Sequence, residues 1–443
     1  MADLISPLKE QFKKALAKFQ GHYDIIVLGA GPAGLSFATS AHDCGEKSIL
    51  IIEKEKHLGG VLNHCLSDGF GEDTFAENLT GKEYVSRLVD MVEKRRIDYK
   101  INTTVLSVTE DKCVYTVSPK GGLVFYKAKV IVYALGAHEV PRGSLCIPGS
   151  RPNGVYSAGT IQKMGSERKK LGLKNVVIFG SNDVGLSAAH VLSHDGINVK
   201  MIVEPHSYFR GGDTNKKKSL DEHNIPLKLS HTIVQILGKP QIESVVIAAC
   251  RENGEVIGGT EQEIPCDALL ISMGLSPENT ILDEAKVQIS SHTKGPITND
   301  KGETSVKGIF AIGNALFIHD KVDRIVRESI RAAINVVKSI RASENSANCD
   351  KVKITSIPVA FDENILYLQP ERIDSENADD NIAVAIRPKY EKENCKIVVK
   401  FDDVVYSTVF KPVLHTNAIS TVYIAKTDLQ NSNTKSIQVL IED

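Results

Sequence analysis

The chain has 443 residues, of which 42% are hydrophobic and 24% charged, and its formal net charge is -2. At about 150 residues per domain this length predicts roughly three domains, and the near-neutral charge argues against a disordered chain and against nucleic acid as a partner. The eight cysteines show no CxxC spacing, so no metal site is predicted, and reduced thiols in the cytoplasm are favoured. No apolar run approaches the roughly 20 residues of a transmembrane segment.

The first segment, residues 1–22, is predicted to be an amphipathic helix. Apolar side chains recur on one helical face, namely Leu4, Leu8, Phe12, Leu16 and Phe19. Lysines lie mostly on the opposite face. A helix docked on the protein surface is favoured, while attachment to a membrane surface or an organelle address stays open.

A strand, a glycine turn, a helix and a second strand follow from Tyr23, and together they predict a βαβ unit. Gly29, Gly31 and Gly34 have GxGxxG spacing, and Glu53 follows Gly29 by 53 − 29 = 24 residues. In such a turn the glycines allow a tight bend, close approach to a pyrophosphate and close helix packing, and the acid accepts ribose hydroxyls. This context predicts dinucleotide binding.

Short strands between residues 100 and 135 predict a β-meander, and a proline- and glycine-rich joint after Pro141 predicts a domain boundary. A second βαβ unit begins at Asn175. Gly180 and Gly185 keep the outer glycines of its turn, Asn182 replaces the middle one, and Glu204 follows Gly180 by 204 − 180 = 24 residues.

After Pro277 the chain has another strand, "GIFAIGN", and an amphipathic helical segment from residue 320 to 340. Polar "RASENSANCD" then predicts a linker. Residues 351–443 contain alternating strand-like runs such as "NIAVAIRP" and "STVYIAK". They predict a small all-β domain.

Three motifs, "IIVLGAGPAGLSFA", "VIVYALGAHEVPRG" and "TSVKGIFAIGN", resemble the flavoproteins with two dinucleotide-binding domains that include thioredoxin reductase and NADH oxidase. The resemblance extends over residues 23–342. It implies that the first fold binds FAD and that the inserted second fold binds NAD(P)H, as in the pyridine nucleotide-disulfide oxidoreductases.

A narrower resemblance rests on "GGVLNHCLSDGFGEDTFAENLTGKEYV", "PGSRPNGVYSAGT" and "LLISMGLSPEN". These look like the FAD-dependent oxidoreductases associated with glycerol-3-phosphate or 2-hydroxyglutarate dehydrogenase-type flavoproteins. The implied partner is therefore a second flavoprotein or another redox subunit.

The expected fold class is α/β, with two Rossmann-like domains and a C-terminal all-β domain. The FAD domain is expected at 23–142 and 275–342, the NAD(P) domain at 143–274 and the β domain at 351–443. By resemblance the FAD contacts come from Gly29, Ala30, Gly31, Pro32, Ala33, Gly34, Glu53, Lys54, Gly60, Val61, Val105, Ala134, Gly136, Gly313 and Asn314. The NAD contacts come from Gly180, Ser181, Asn182, Asp183, Glu204 and Gly274.

The resemblance also implies that Gly313 and Asn314 lie beside the flavin, with Asn314 where relatives usually have Asp. The helical segment that follows opens with Asp320 and Asp323 in a capping arrangement. Its N-terminus would face the flavin and favour the anionic reduced form.

Asn182 leaves two interpretations open. Its side chain either crowds the pyrophosphate site or donates an amide hydrogen bond to the phosphate, and a second fold kept only for its shape is the alternative. Glu204 favours NAD(H) over NADP(H), although Arg210 and the run Lys216-Lys217-Lys218 could offset its charge.

Cys65 is the candidate catalytic thiol because it follows Gly59-Gly60 in a region that lines the flavin in relatives. A buried structural cysteine is the favoured alternative. His64 and His319 are the nearest candidate acids, and each is more typically structural.

These patterns together predict an FAD-dependent oxidoreductase that passes electrons between NAD(H) and a second redox partner, without a redox-active cysteine pair. A stand-alone NADH oxidase or peroxidase using Cys65 is the second hypothesis. A non-catalytic, FAD-containing interaction subunit is the third. A homo-oligomer is possible on each of them.

Overall fold

A computed structural model of the chain describes residues 17–65, 67–212, 216–345, 356–376, 378–432 and 434–443. The chain divides into two compact units, the first formed by residues 1–137 and 277–443 and the second by residues 138–276. The second unit is therefore an insertion within the first. The predicted domain boundaries, at 142/143 and 274/275, stay predictions.

The first part of unit 1 alternates strands and helices. Its elements are β1 (Lys18–Leu28), α1 (Pro32–Asp43), β2 (Ile49–Ile52), a 3-10 turn (Gly60–His64), α2 (Glu72–Phe75), α3 (Gly81–Lys94), β3 (Asp98–Lys100), β4 (Thr104–Val108), β5 (Cys113–Ser118), β6 (Gly122–Tyr133) and β7 (Ala137–Glu139).

Unit 2 contains a second set of alternating elements. They are a 3-10 turn (Arg142–Leu145), β8 (Val155–Ser157), α4 (Ala158–Lys163), a 3-10 turn (Gly165–Leu171), β9 (Asn175–Phe179), α5 (Asp183–His194), β10 (Asn198–Val203), a π-helical turn (Lys217–Asp221), β11 (Leu227–Lys228), β12 (His231–Leu237), β13 (Ser244–Ala249), β14 (Gln262–Pro265), β15 (Ala268–Ile271) and β16 (Leu275–Pro277).

The last part of unit 1 completes its sheet and adds a β-rich region. Its elements are a 3-10 turn (Thr280–Ala285), β17 (Ile309–Ala311), a 3-10 turn (Gly313–Ala315), α6 (Val322–Asn345), β18 (Ser356–Phe361), β19 (Ile365–Gln369), β20 (Arg372–Asp374), β21 (Asn381–Pro388), β22 (Lys392–Phe401), β23 (Val404–Leu414), β24 (Ser420–Ala425), α7 (Lys426–Ser432) and β25 (Ile437–Glu442).

Unit 1 is built on a seven-stranded sheet with the order β3-β2-β1-β6-β5-β4, in which β17 also pairs with β6. Strands β1, β2, β3, β6 and β17 are paired in parallel, whereas β4, β5 and β6 form the predicted antiparallel meander. Both faces of the parallel part are apolar, since helices α1, α3 and α6 cover one face, and 3-10 turns, loops and side chains of β19 and β21 cover the other. This arrangement puts the carboxyl ends of β1, β2 and β17 at one edge of the sheet.

Unit 2 has a five-stranded sheet, β11-β10-β9-β15-β8, in which every strand pairs in parallel with its neighbour. A separate antiparallel sheet, β12-β13-β14, covers it through a second apolar cluster. Here too the carboxyl ends of the central strands β9 and β15 lie side by side.

The C-terminal region forms two sheets, β20-β18-β25-β22-β23 and β19-β21-β24. Apolar side chains from both sheets form one shared core, so the region is a β-sandwich. One seven-residue helix, α7, interrupts the predicted all-β pattern.

The predicted N-terminal helix is wrong for residues 18–22, which belong to strand β1. Lys18 and Phe19 pair in parallel with Val124 and Phe125. The long strand β6 offers backbone partners beyond Tyr23, and these pairings outweigh the local helical pattern. Residues 1–16 of the predicted helix lie outside the described residues.

Helix α6 also departs from its prediction. It runs to Asn345, into the segment predicted as a linker. Ile330 and Ile334 share the helical spacing of the apolar residues of α6 but are 39% and 37% exposed. The buried stripe instead runs through Val326, Ala333 and Val337, since small residues let α6 pack closely on α1.

Candidate functional site

The first glycine turn joins β1 to α1 at the carboxyl edge of the unit 1 sheet. Gly29 has φ 98°, a conformation that favours glycine. A Cβ on Gly29 would lie 2.5 Å from the carbonyl oxygen of Ala134, and one on Gly34 would lie 2.0 Å from the carbonyl oxygen of Gly29. Both positions therefore require glycine, as the sequence predicted, because the backbone leaves no room for a side chain.

Gly31 is the glycine with free space around it. A Cβ added there would meet no atom of the described residues within 4 Å, while Gly60 approaches so closely that its own Cβ would lie 2.9 Å from the Gly31 Cα. The N–H of Gly59 donates to the carbonyl of Ala30 at 2.7 Å. Two glycine segments thus bound an open space at the N-terminus of α1, the end of a helix that favours a phosphate. These residues fit the pyrophosphate of a dinucleotide.

Glu53, at the end of β2, fastens this turn. It is 6% exposed. Its Oε2 accepts the N–H of Ala30 at 2.8 Å and its Oε1 accepts the N–H of Glu55 at 2.8 Å. The carboxylate therefore lies against the turn, and its predicted contact with ribose hydroxyls would use its remaining lone pairs.

Gly313, which lies in the last part of unit 1, packs against the first turn. Its φ is 63°, and a Cβ there would lie 2.7 Å from the Cβ of Ala33 at the start of α1. Asn314 accepts the backbone N–H of His319 through its Oδ1 at 3.0 Å. Ala33 and Gly313, which lie 313 − 33 = 280 residues apart in sequence, are thus brought together at the first turn.

The carboxylates that open α6 do not form the predicted capping pair. Asp320 binds Arg324 and the backbone N–H of Ile419, at 3.1 and 2.9 Å. Asp323 accepts hydrogen bonds from the hydroxyls of Tyr84 and Thr74. Both side chains reach partners from distant segments, which a local capping pattern does not anticipate.

Other predicted FAD contacts lie at varying distances from the turn. Ala134 is at the turn itself, since its N–H donates to Leu28 at 2.9 Å, and Gly136 accepts the N–H of Glu278 at 3.1 Å. Val61 is 71% exposed, Lys54 is exposed and Val105 lies in β4, three strands from β1 along the sheet. The roles of these residues stay predictions.

The second turn, in unit 2, has nearly the same backbone dihedral angles as the first. Gly180 has φ 105°, and a Cβ there would lie 2.0 Å from the carbonyl oxygen of Ser272. Asn182 has φ -74° and ψ 168°, against -75° and -176° for Gly31. This is extended backbone that any residue adopts, so Asn182 occupies the middle position without strain.

The side chain of Asn182 is held by the protein. Its Oδ1 accepts the N–H of Gly185 at 3.1 Å and thereby caps α5, and its Nδ2 donates to the carbonyl of Ser272 at 2.8 Å. The Ser272 hydroxyl donates back to Oδ1 at 2.5 Å. The amide therefore ties the turn to the end of β15, a role that replaces the bare helix start of the first turn.

Glu204 repeats the Glu53 contacts and adds two. Its Oε2 accepts the N–H and the hydroxyl of Ser181 at 2.8 and 2.7 Å, and its Oε1 accepts the N–H and Nδ1 of His206 at 3.1 and 2.6 Å. It is fully buried. Burial raises the pKa of Glu204, but His206, Arg210 and Ser181 outweigh burial and leave that pKa below its usual value.

Arg210 and Gly274 complete the surroundings of the second turn. The N–H of Arg210 donates to the Ser181 hydroxyl at 3.1 Å, and a Cβ on Gly274 would lie 3.8 Å from the Arg210 guanidinium. Asp183 accepts the N–H of Gly212 at 2.9 Å. Arg210 thus lies beside the buried Glu204, while Lys216 lies over the Phe209 ring at 5.5 Å.

Sequence reasoning missed Ser272. Its carbonyl stands against Gly180 and its hydroxyl binds Asn182. The signal was its position directly after β15, at the carboxyl edge of the sheet. Only the pairing of β15 with β9 brings it to the turn.

Cys65 has the surroundings of a structural thiol. It is half-buried, its Sγ lies 3.8 Å from the carbonyl of Val61, and Gly81 packs so closely that a Cβ there would lie 2.6 Å from the Cys65 Cβ. Burial raises the pKa of the Cys65 thiol to about 11. The nucleophilic thiolate is therefore disfavoured at neutral pH.

His319 is likewise held by several partners. Its Nε2 lies 2.7 Å from Glu328, and its Nδ1 lies 2.9 and 3.1 Å from the Phe317 carbonyl and Asn314. It stacks on Phe317 with ring centres 4.0 Å apart. The histidine thus fixes the loop that carries Gly313, as the structural interpretation predicted.

Two negative findings apply to the described residues alone. No group of three or more His, Cys, Asp or Glu side chains among them is placed to hold a metal ion. In the same part of the chain, no helix combines the length and apolar character needed to cross a bilayer.

Residues 23–346 match the sequence profile of the Pyridine nucleotide-disulphide oxidoreductase family. A thioredoxin reductase of Treponema pallidum (strain Nichols) is 27% identical over 298 residues, which cover 66% of this chain and 88% of the relative. A ferredoxin–NADP reductase of Streptococcus sanguinis (strain SK36) is 26% identical over 306 residues, which cover 68% and 89%.

Among solved structures, the crystal structure of T. acidophilum thioredoxin reductase is similar with a TM-score of 0.58 and 20% identity. The match covers 72% of this chain and 99% of that chain. It shows the same fold, with two Rossmann-like domains. The C-terminal β-sandwich, whose first strand begins at Ser356, lies wholly beyond the residues that the family profile matches.

Proposed function

Because the chain belongs to the pyridine nucleotide-disulphide oxidoreductase family, we propose that it passes electrons between NAD(H) and a second redox protein through FAD, without a redox-active cysteine pair. That it is an FAD-dependent pyridine nucleotide oxidoreductase follows from the family and its reductase relatives. The partner, the nucleotide preference and the route without cysteines are the proposal.

The observation that carries the proposal is the presence of two turns with the same backbone, each fastened by a carboxylate. Glu53 binds the N–H of Ala30 and Glu204 binds the N–H of Ser181, both at 2.8 Å. Two such turns suit an enzyme that holds one dinucleotide in each unit. FAD supplies hydride exchange with nicotinamide when it is bound, so the chain itself needs to bind, orient and exclude water.

The first turn supports FAD as the resident group of unit 1. Its open space at Gly31, bounded by Gly60, accepts a pyrophosphate, and Gly313 closes against Ala33 from the opposite side. In unit 2, Asn182 keeps the backbone of the turn but fills its middle with an amide. NAD(H) binding there is therefore proposed to be weaker than in a turn with three glycines.

NAD(H) is proposed over NADP(H) because a carboxylate, Glu204, stands at the end of β10. The buried charge would repel a 2′-phosphate. Arg210 and His206 lie next to it and reduce this repulsion. The preference is therefore expected to be moderate.

The route without a cysteine pair rests on the placement of the cysteines. The seven described cysteines form no disulfide bond, and no two of the eight in the sequence have CxxC or CxxxxC spacing. Cys65, the thiol nearest the first turn in sequence, has a pKa raised to about 11 by burial. The same feature disfavours the oxidase or peroxidase hypothesis that depends on it.

The reported relatives are named as reductases that act with thioredoxin or ferredoxin. A small redox protein is thus one candidate for the partner. A glycerol-3-phosphate or 2-hydroxyglutarate dehydrogenase-type flavoprotein is the other, and this association and the cytoplasmic location stay predictions.

Anaerobic mixing of the FAD-loaded protein with NADH tests the proposal. Rapid bleaching of the flavin absorbance, followed by recovery when a redox protein is added, is the expected result. A matched reaction with NADPH measures the preference assigned to Glu204. Absence of bleaching with either nucleotide would leave the non-catalytic interaction subunit as the better account.

A further inference from the structure

A partly open pocket lies between helix α6 and the C-terminal β-sandwich, both in unit 1. Its volume is about 250 Å³, and its walls come from residues 298–335 and 369–423. Gly313, which packs against the start of α1, lines it, whereas Gly29, Gly31, Gly34 and Gly60 do not. The pocket, named here the arginine cavity, therefore adjoins the Gly313 loop but does not include the open space at Gly31.

Three guanidinium groups line one wall of the arginine cavity. Arg324, Arg327 and Arg331 are spaced i, i+3 and i+7 along α6, which places them on one face of a helix. Lys301 also lines the cavity. The apolar stripe of the same helix faces α1, so the basic face is directed at the sandwich.

The charges of this wall are only partly neutralised. Arg324 is satisfied by Asp320, Thr421 and the carbonyl of Ile419. The Nε–H of Arg331 donates to Asp379 at 2.8 Å, while its buried Nη2 has no hydrogen-bond partner among the described residues.

Arg327 is exposed at the mouth. Glu328, the acid beside it, is already bound to His319 at 2.7 Å. The cavity therefore has a positive wall with spare donors.

Two lining residues outside α6 have spare acceptors. Gln369 is 6% exposed, and its amide donates to Thr298 while its Oε1 has no partner in the described part of the chain. Asp300 accepts the N–H of Asp374 at 2.8 Å through Oδ1, while its buried Oδ2 has no partner among the described residues. A buried polar atom without a partner is costly, so a ligand that satisfies three such atoms gains from each.

The protonation of Asp300 fits a polar ligand. Burial raises the pKa of Asp300, and the N–H of Asp374 acts against that rise. A carboxyl group with a raised pKa can donate as well as accept a hydrogen bond.

We propose that the arginine cavity binds a small organic oxyanion, a carboxylate or a phosphate, that also carries a hydroxyl group. Guanidinium groups bind such oxyanions in a bidentate way, and Arg331 Nη2 is the donor placed for it. The hydroxyl group donates to Gln369 Oε1 and pairs with Asp300. A cavity of about 250 Å³ holds roughly eight waters, which restricts the ligand to a small metabolite. The site does not depend on the proposed electron transfer.

Titration calorimetry of the FAD-loaded, full-length protein tests this site with three probes, malate, succinate and inorganic phosphate. Malate and succinate have the same two carboxylates and differ by one hydroxyl group. The expected result is saturable binding of malate with one site per chain, at least fivefold tighter than succinate. Equal binding of the two dicarboxylates would overturn the hydroxyl contact with Gln369 and Asp300.

Two variants locate the binding. Arg327→Gln removes an exposed guanidinium without leaving a buried charge, and Arg331→Lys keeps the charge beside Asp379 but loses the planar fork. Each is expected to weaken malate binding at least fivefold with unchanged FAD content. The control is Arg87→Gln, since Arg87 forms a surface pair with Glu77 far along the sequence from the cavity.

Phosphate separates the two oxyanion classes. Tighter binding of phosphate than of succinate supports a phosphorylated ligand, and the reverse supports a carboxylate. The proposal is overturned if none of the three probes binds, or if Arg327→Gln, Arg331→Lys and Arg87→Gln all bind malate as the unmodified protein does.

Discussion

Replacing Asn182 by glycine removes one side chain from the second turn and leaves its backbone free to keep the same angles. In the unmodified protein the amide is engaged by Gly185 and Ser272. Its Nδ2 donor is thus already used by a protein carbonyl. We therefore expect the side chain to crowd a bound pyrophosphate rather than to hold it.

The magnitude of the stability loss follows from the contacts. Glycine replaces Asn as a helix cap at a cost of only a few tenths of a kcal/mol. The two hydrogen bonds to Ser272 are worth about 0.5–1.5 kcal/mol each. The expected loss is about 2 kcal/mol, below the 5–15 kcal/mol that is typical of a folded domain.

The affinity is expected to change in the opposite direction. Opening the middle of the turn should tighten NADH binding by about 1 kcal/mol, or roughly fivefold in Kd. Asn182→Asp is the matching variant of the same shape. It keeps an oxygen for Gly185 but replaces the donor to Ser272 with a negative charge, so NADH binding should weaken.

Anaerobic NADH titration and thermal unfolding of the variants provide the measurement, with FAD content as the internal reference. Gly31→Asn in the first turn is the matched control, because the backbone there is also extended. It should lower FAD content and leave unit 2 unchanged. A Kd for NADH that is unchanged or larger in Asn182→Gly would refute the crowding account.

Three further predictions concern the thiol, the buried acid and the close-packed glycines. Cys65→Ser should leave NADH-driven flavin bleaching unchanged, and iodoacetamide should modify Cys65 slowly at pH 8 but faster toward its pKa of about 11, as peptide mapping will show; rapid labelling at pH 8 would contradict this. Glu204→Gln should lower the melting temperature, since the lowered pKa of Glu204 means that the carboxylate stabilises the fold above about pH 4.5. This stabilisation is lost as the pH falls through the folded pKa, so the difference in melting temperature between the two proteins should shrink in acid. A difference that grows in acid would contradict this prediction. Gly34→Ala should abolish FAD retention because its Cβ would lie 2.0 Å from a carbonyl oxygen, whereas Gly185→Ala, at 2.9 Å, should reduce NADH affinity in a folded protein; spectra of the purified variants compare them.

The N-terminal segment shows how a local pattern fails. Leu4 to Phe19 have helical spacing, yet Lys18 and Phe19 are in strand β1 because β6 continues alongside them. Helical periodicity describes only the side chains of one segment. The pairing of two strands depends on a partner more than 100 residues away, which the segment does not encode.

The second turn shows most clearly which features the sequence predicts and which only the tertiary structure decides. The spacing of Gly180, Gly185 and Glu204 predicted the fold of the turn, because only glycine tolerates the backbone contacts that the turn creates. It left the purpose of Asn182 open between two accounts. The answer lies in Ser272, 90 residues later, whose carbonyl and hydroxyl bind the amide.

The sequence by itself therefore determined the two glycine turns, their acids and the order of the elements, because these depend on local backbone geometry and on periodic apolar side chains. Only the tertiary structure decided that Ile330 and Ile334 are exposed, that Glu204 is saturated by four hydrogen bonds, and that the arginines of α6 face a cavity. Burial and hydrogen-bond partners are properties of segments that meet in space, and no single segment of this chain specifies both sides of those contacts.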